Sequence, residues 1–235
     1  MLGTSIASIW ARDAMAARAG ALTLAEASGN RFVLGLGVSH AHLTQNVRGH
    51  TYERPLTRMR EYLGAYRAAL WKGPLTDEPP VIVAALRERM LELAATEAEG
   101  AFPYLVTAER VAWMRGRLDS ASASGTRPLL CVTLPVVLER DQDLARATAR
   151  RYLASYLRTP NYQGSWEAQG FGAEDWEKPG SDRLVDGMVA WGEADSLRER
   201  VAGLHAAGAD HVALIPLSPE GTTEEKRVID ALAPR

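Results

Sequence analysis

Residues 81–105 read VIVAALRERMLELAATEAEGAFPYL. An aliphatic run, Val81 to Leu86, passes into Leu86, Met90 and Leu93 at i, i+4 and i+7, and then into a second apolar run, Ala101 to Leu105. That sequence of periods is a strand, a helix and another strand. Both strands are apolar almost throughout, with no alternating polar face. Such strands are buried on both sides, which points to a parallel sheet covered by helices.

The pattern repeats in both directions from this stretch. Apolar runs occur at Leu2 to Trp10, Phe32 to Val38, Leu129 to Leu138 and His211 to Leu217. Helical faces lie between them: Met15, Ala19 and Leu22; Leu56, Met59, Leu63, Tyr66 and Leu70; Ala145, Ala149, Tyr152 and Tyr156; Leu197, Val201 and Leu204. A last helix is expected over Thr223 to Leu232. Ser28-Gly29-Asn30 and Gly208 are helix stops, Asp141 is placed as an N-cap, and Pro79-Pro80 marks the entry to the strand at Val81. Thr159 to Asp182, rich in Gly, Pro and Trp, reads as a helical and loop excursion within an insertion around 157–192. The chain is expected to be one domain, 1–235. Six strand–helix units suit either part of a (β/α)8 barrel or an open doubly wound sheet, and periodicity alone leaves both open.

Lys and Arg (27) nearly balance Asp and Glu (29), for a net charge of −2, so no broad basic surface for nucleic acid is implied. No apolar run approaches the roughly 20 residues of a membrane span, and no signal-peptide pattern opens the sequence. The single cysteine, Cys131, lies inside an apolar strand; it reads as an inert core thiol in a reducing, cytoplasmic setting.

Candidate chemistry gathers at strand ends. Gly35-Leu36-Gly37-Val38-Ser39-His40 superficially resembles a dinucleotide fingerprint, but His40 stands at the third glycine position and no acidic partner follows at the right distance. Its glycines are better read as allowing close approach of a ligand or of backbone. His40 and His42 form an H-x-H pair without further converging ligands, so no metal site is expected. At the end of the Val81 strand, Ala84 and Ala85 are small, and Arg87 and Arg89 follow where a helix begins. This is either an anion site at a helix N-terminus or an ordinary solvated first turn.

Longer segments resemble the luciferase-like monooxygenase superfamily, in particular its branch using the deazaflavin coenzyme F420. LGTSIASIWARDAMAARAGALTLAEASGNRFVLGLGVSHAHL is similar to that family's third strand, third helix and fourth strand. PPVIVAALRERMLELAATEAEGAFPYLVT is similar to its fifth and sixth units. RRYLASYLRTPNYQGSWEAQGF and SDRLVDGMVAWGEADSLRERVAGLHAAGADHVALIPL are similar to its C-terminal insertion and eighth strand.

The resemblance implies an α/β fold, a TIM-type (β/α)8 barrel lacking its first two βα units, and a homodimer. It implies hydride transfer between reduced F420 and an organic substrate; an FMN-dependent monooxygenase and an inactive ligand-binding remnant of the same fold are the alternatives. Carried over by position, Ser5 and Ile6 fall where many members have a non-prolyl cis peptide against the cofactor ring. Gly37, Val38, Ser39 and His40 match the loop that borders the cofactor, with His40 the candidate catalytic residue. Ala84, Ala85, Leu86 and Arg87 match the loop that meets its phosphate, although Arg87-Glu88 stands where the family commonly has Gly-Pro, which puts a carboxylate beside the expected phosphate.

Overall fold

The computed structural model describes residues 1–74, 77–218 and 225–233. The chain divides into two compact units, Met1–Phe102 with Gly116–Leu129, and Pro103–Arg115 with Leu130–Arg235.

In the first unit the chain runs β1 (Leu2–Gly3), β2 (Ala7–Ser8), α1 (Ala14–Ala27), β3 (Phe32–Gly37), α2 (Pro55–Ala68), β4 (Val81–Val83), α3 (Glu88–Glu97) and β5 (Gly100–Ala101). All pairings are parallel: β1 and β2 both lie on β3, β3 pairs with β4, and β4 with β5. Helix α4 (Ala108–Ala121) contributes its last turns here, with Leu118 fully buried. The core combines Leu34, Leu36 and Val83 from the strands with Leu22, Met59, Leu63 and Leu91 from the helices. The alternation of periods thus translates into parallel β–α units, as the stretch 81–105 predicts.

Several details differ from the sequence expectation. The run Leu2 to Trp10 is two short strands rather than one. Leu2 pairs with Phe32 but Ala7 pairs with Leu36, so five steps on one side match four on the other. The ladder cannot run straight through, and the interruption falls around a cis peptide between Ser5 and Ile6. The expected strand Val81 to Leu86 stops at Val83, and Ala101 to Leu105 is reduced to Gly100–Ala101. Met15 is 62% exposed, because Asp13 caps α1 through the Ala16 N–H and sets a phase that buries Ala17, Ala21, Leu22 and Ala25 instead. Leu70 is exposed, because α2 ends at Ala68 and Ala69 turns extended.

The second unit is built on β6 (Leu129–Leu138), followed by α5 (Gln142–Leu153), α6 (Pro160–Glu167), α7 (Ala173–Trp176), α8 (Asp182–Met188), β7 (Ala190–Gly192), α9 (Ala194–Ala206), β8 (His211–Leu217) and α10 (Glu225–Leu232). Strand β6 pairs in parallel with β8 along Cys131–Val137 and with β7 at Val136–Leu138. β7 is a strand that the sequence reading missed: three residues carry too little periodicity to be seen. Asp141 caps α5 by accepting from Leu144 N–H, as expected. The expected last helix is present from Glu225; Thr223 and Glu224 lie outside the described residues. Among the described residues, no helix is long and apolar enough to cross a membrane. Cys131 is buried, and burial pushes its thiol up to about 11.

The excursion 157–192 is tied down by charge. Arg183 pairs with the buried Asp175 carboxylate, which also accepts from Ser181 Oγ (2.6 Å) and Gly172 N–H (2.8 Å). Arg146 of α5 reaches Asp186 (2.6 Å) and Asp182 (2.9 Å) on α8, and Trp191 Nε1 adds a bond to Asp186 (2.7 Å).

The Arg183 guanidinium, with Ser181 and Gly172, holds the Asp175 carboxyl down to about 2, against 3.8 for a free aspartate. Its contribution to stability is therefore complete above pH 3.8 and lost as pH falls toward about 2. A melting-temperature series over that range should show a fall that is shallower in the Asp175→Asn variant, which is destabilised throughout.

Candidate functional site

The expected site residues lie in the first unit, between β1 and β2 and around the C-terminal ends of β3 and β4. Their arrangement begins with Thr4, in the gap between β1 and β2. Its hydroxyl donates to Gly35 O (2.8 Å) and accepts from Gly35 N–H (2.9 Å), so one side chain makes both bonds with β3 where the main-chain ladder is broken. The approach is closer than any side chain allows: a Cβ on Gly35 would lie 2.1 Å from the Thr4 carbonyl oxygen.

One step further, a Cβ on Gly37 would lie 2.0 Å from Ile6 Cδ1 and 3.3 Å from Ala84 Cβ. Ile6, Gly37 and Ala84 are thereby neighbours across three strand ends, and Ala84 N–H continues the β3–β4 ladder to Leu36 O (2.8 Å). Ile6 is 37% exposed above this small-residue floor, while Ala85 beside it is buried. Ser5 and Arg87 are both exposed and take no part in the Ile6–Gly37–Ala84 contact.

Val38 and Ser39 leave β3 with their carbonyls already engaged. Val38 O accepts from Trp10 Nε1 (2.8 Å), and Ser39 O accepts from Tyr52 Oη (3.2 Å). Ser39 has φ 57°, a left-handed conformation that costs a non-glycine residue roughly 1–2 kcal/mol. His40 follows, half-buried, and its carbonyl receives Thr44 N–H (3.0 Å) at the start of a single π-turn, Leu43–Val47. Burial pushes the His40 imidazole below its ordinary 6.5, so it is neutral at pH 7. The other histidine of the H-x-H pair, His42, is exposed and bonds Asn46 (2.9 Å). Among the described residues there is no group of three or more His, Cys, Asp or Glu placed to hold a metal.

At the end of β4, Leu86 leads to Arg87, which occupies the N-cap of α3 in an extended conformation and makes no side-chain cap bond. Its carbonyl accepts from Met90 and Leu91 N–H (both 3.1 Å), starting the helix. The Glu88 carboxylate, which beside an anion would repel it, is paired with Arg117 of α4.

Sequence reasoning missed Thr4, Trp10 and Tyr52. A signal existed for the first: Gly35 and Gly37, two apart, put both missing side chains on one flank of β3, which marks a close neighbour there. Tyr52 returns from thirteen residues beyond Ser39, and no local pattern reports that.

This chain matches the luciferase-like monooxygenase family over residues 1–211. It belongs to that family. A relative from Mycobacterium tuberculosis whose name proposes a coenzyme F420-dependent oxidoreductase is 26% identical over 98% of this chain and 82% of its own length. Among solved structures, the coenzyme F420-dependent tetrahydromethanopterin reductase of Methanopyrus kandleri superposes with a TM-score of 0.71 at 17% identity, covering 96% of this chain and 79% of that one. The oxygenating constituent of 3,6-diketocamphane monooxygenase from Pseudomonas putida, a type II Baeyer–Villiger monooxygenase in complex with FMN, gives 0.65 at 15% identity, covering 97% and 74%. At these identities the likeness is one of fold. The luciferase-like fold of this chain is thus shared with both F420-dependent and FMN-binding enzymes.

The close approach at Gly35 predicts two different responses. Thr4→Val removes both hydroxyl bonds while keeping shape, and should cost about 1–3 kcal/mol, each kcal/mol lowering the melting temperature by roughly 2–4 °C. Gly35→Ala drives a methyl into the Thr4 carbonyl and should cost at least about 2 kcal/mol, whereas Gly37→Ala meets chiefly the tip of Ile6, with the Ala84 methyl at 3.3 Å, and should be partly rescued by Ile6→Val. Denaturant unfolding of the three variants and the double mutant checks this.

Proposed function

We propose that this luciferase-like protein is an F420-dependent oxidoreductase that exchanges a hydride with a small organic substrate. The observation that carries the reading is the small-residue floor of Gly37 and Ala84 at the ends of β3 and β4, with Ile6, 37% exposed, lying on it. A planar ring needs a flat, close floor of this kind. The names of the mycobacterial relative and of the Methanopyrus reductase favour the deazaflavin as that ring.

The donor set suits such a cofactor. Ser5, Ile6, Gly37, Val38 and Ser39 would border the ring system, and Ala84, Ala85, Leu86 and Arg87 its phosphate. Arg87 is exposed at the head of α3, where the helix dipole favours an anion, and the neighbouring Glu88 carboxylate is neutralised by Arg117. When bound, the deazaflavin supplies the hydride chemistry. The chain's own part is to orient the ring, exclude water and manage the proton. His40, kept neutral by burial, has an imidazole nitrogen able to take a proton from a substrate hydroxyl or return one to a carbonyl oxygen. On this reading the enzyme works as a homodimer, which is what the family resemblance implies, in the reducing cytoplasm that a single cysteine, Cys131, suits.

A second reading, an FMN-dependent monooxygenase, is favoured by the likeness to the FMN-bound Pseudomonas enzyme. Fluorescence titration of the chain with F420 and, separately, with FMN distinguishes the two. Micromolar or tighter binding of F420 alone is expected; binding of FMN alone would replace the proposal with the monooxygenase. No binding of either by folded protein would leave an inactive remnant of the fold. Arg87→Ala should weaken F420 by about five- to tenfold, consistent with loss of one exposed charge-assisted contact. His40→Asn should leave that affinity within about twofold and abolish turnover.

A further inference from the structure

The carbonyls of Val38 and Ser39, consecutive residues directly before His40, are held by two aromatic donors from separate parts of the first unit. Trp10, at the end of β2, donates its indole N–H to Val38 O (2.8 Å), and Tyr52, from the far side of the loop, donates its hydroxyl to Ser39 O (3.2 Å). Neither ring stands alone. The Trp10 and Tyr52 ring centroids are 6.1 Å apart, His50 packs on Trp10 at 5.9 Å, and the Arg58 guanidinium lies 5.6 Å from the Trp10 centroid. Packing on Trp10 from several sides, with Tyr52 set against it, leaves the pair little freedom to follow the backbone if it moves. They anchor the loop.

What they anchor is a conformation the chain does not favour. Ser39 sits at φ 57°, where a side chain is disfavoured, and without its carbonyl partner it would relax toward the ordinary region. Any such relaxation rotates the Ser39–His40 peptide and redirects the His40 side chain. Thr44 N–H, bonded to His40 O, restrains the peptide that follows but not the one that precedes.

We propose that Trp10 and Tyr52 are positioning residues for His40: by holding the Val38 and Ser39 carbonyls they keep the left-handed turn that aims the imidazole. The assignment builds on the reading of His40 as the proton-handling group, but its physical content is independent of any cofactor. Its alternative is that the aromatic cluster merely straps the loop down by stacking. Tyr52→Phe and Trp10→Phe keep an aromatic ring in place and delete one donor each, so they tell the two apart.

The test is an NMR titration of 13C-labelled histidine in the full chain without cofactor, with His40 assigned by its loss in His40→Asn. In the parent, His40 titrates below the ordinary histidine value of 6.5. In both phenylalanine variants its titration should move up toward that value as the freed turn lets water reach the ring. Far-UV circular dichroism reports whether each variant is folded. A His40 titration that stays at its parental value in folded Tyr52→Phe overturns the proposal, as does a shift confined to one of two folded variants. If Trp10→Phe does not fold, Tyr52→Phe alone decides. Because F420 and FMN are absent, failure of the chain to bind either would overturn the proposed function and leave this result standing.

Discussion

The backbone around Thr4 lies against β3 more closely than any residue with a side chain would permit, and the rest of the candidate site follows from that contact. Gly35 yields the space, and the Thr4 hydroxyl supplies both the donor and the acceptor that the interrupted ladder no longer provides. With the segment pinned there, Ile6 is delivered onto Gly37 and against Ala84. A buried backbone group left without a partner costs more than a typical hydrogen bond returns, so this single hydroxyl replaces a pair of main-chain bonds. It also explains why the first apolar run cannot be one uninterrupted strand: five residues have to match four, and the mismatch is absorbed where the site is formed.

Electrostatics plays a different part in each unit. In the first, the Glu88–Arg117 pair neutralises from α4 the carboxylate that stands beside the head of α3. In the second, charge is added to an apolar core of Leu157, Trp166, Leu184, Val185 and Met188. The excursion between α5 and β7 has short helices and many glycines. Asp175 with Arg183, and Arg146 with Asp182 and Asp186, cross-link these helices at their polar edges.

Much of the fold was legible because periodicity is a local property. The runs at Phe32, Val81, Leu129 and His211 became strands, and the helical faces between them became helices, with Asp141 and Gly208 as cap and stop. What was illegible was short or non-local. β7, with three residues, has no period to read, and the inward face of α1 is set by the Asp13 cap rather than by its largest residue, Met15. The site was half visible. The G-x-G of Gly35 and Gly37 announced a close approach without naming what approached, and the resemblance located Ser5-Ile6, whose peptide is cis. Trp10 and Tyr52 were invisible, since a hydrogen bond from a side chain to a carbonyl 28 or 13 residues away leaves no trace in composition or spacing.

The parallel pairing of β6 with β8 carries an entropic consequence. Asp210, just before β8, bonds Leu130 N–H across 80 residues of chain, and that loop contains α5, the whole excursion, β7 and α9. Closing so long a loop is entropically expensive until its contents have compacted. The ion pairs that tie α5 to α8, 36 to 40 residues apart, close much shorter loops and can form beforehand. Loop entropy alone favours the α5–α8 ties over the β6–β8 closure by about 0.6 kcal/mol, the cost of one doubling of loop length. Arg146 closes the shorter loops inside the longer one, so the charges that hold the excursion also shorten the stretch of free chain that the β6–β8 pairing has to close.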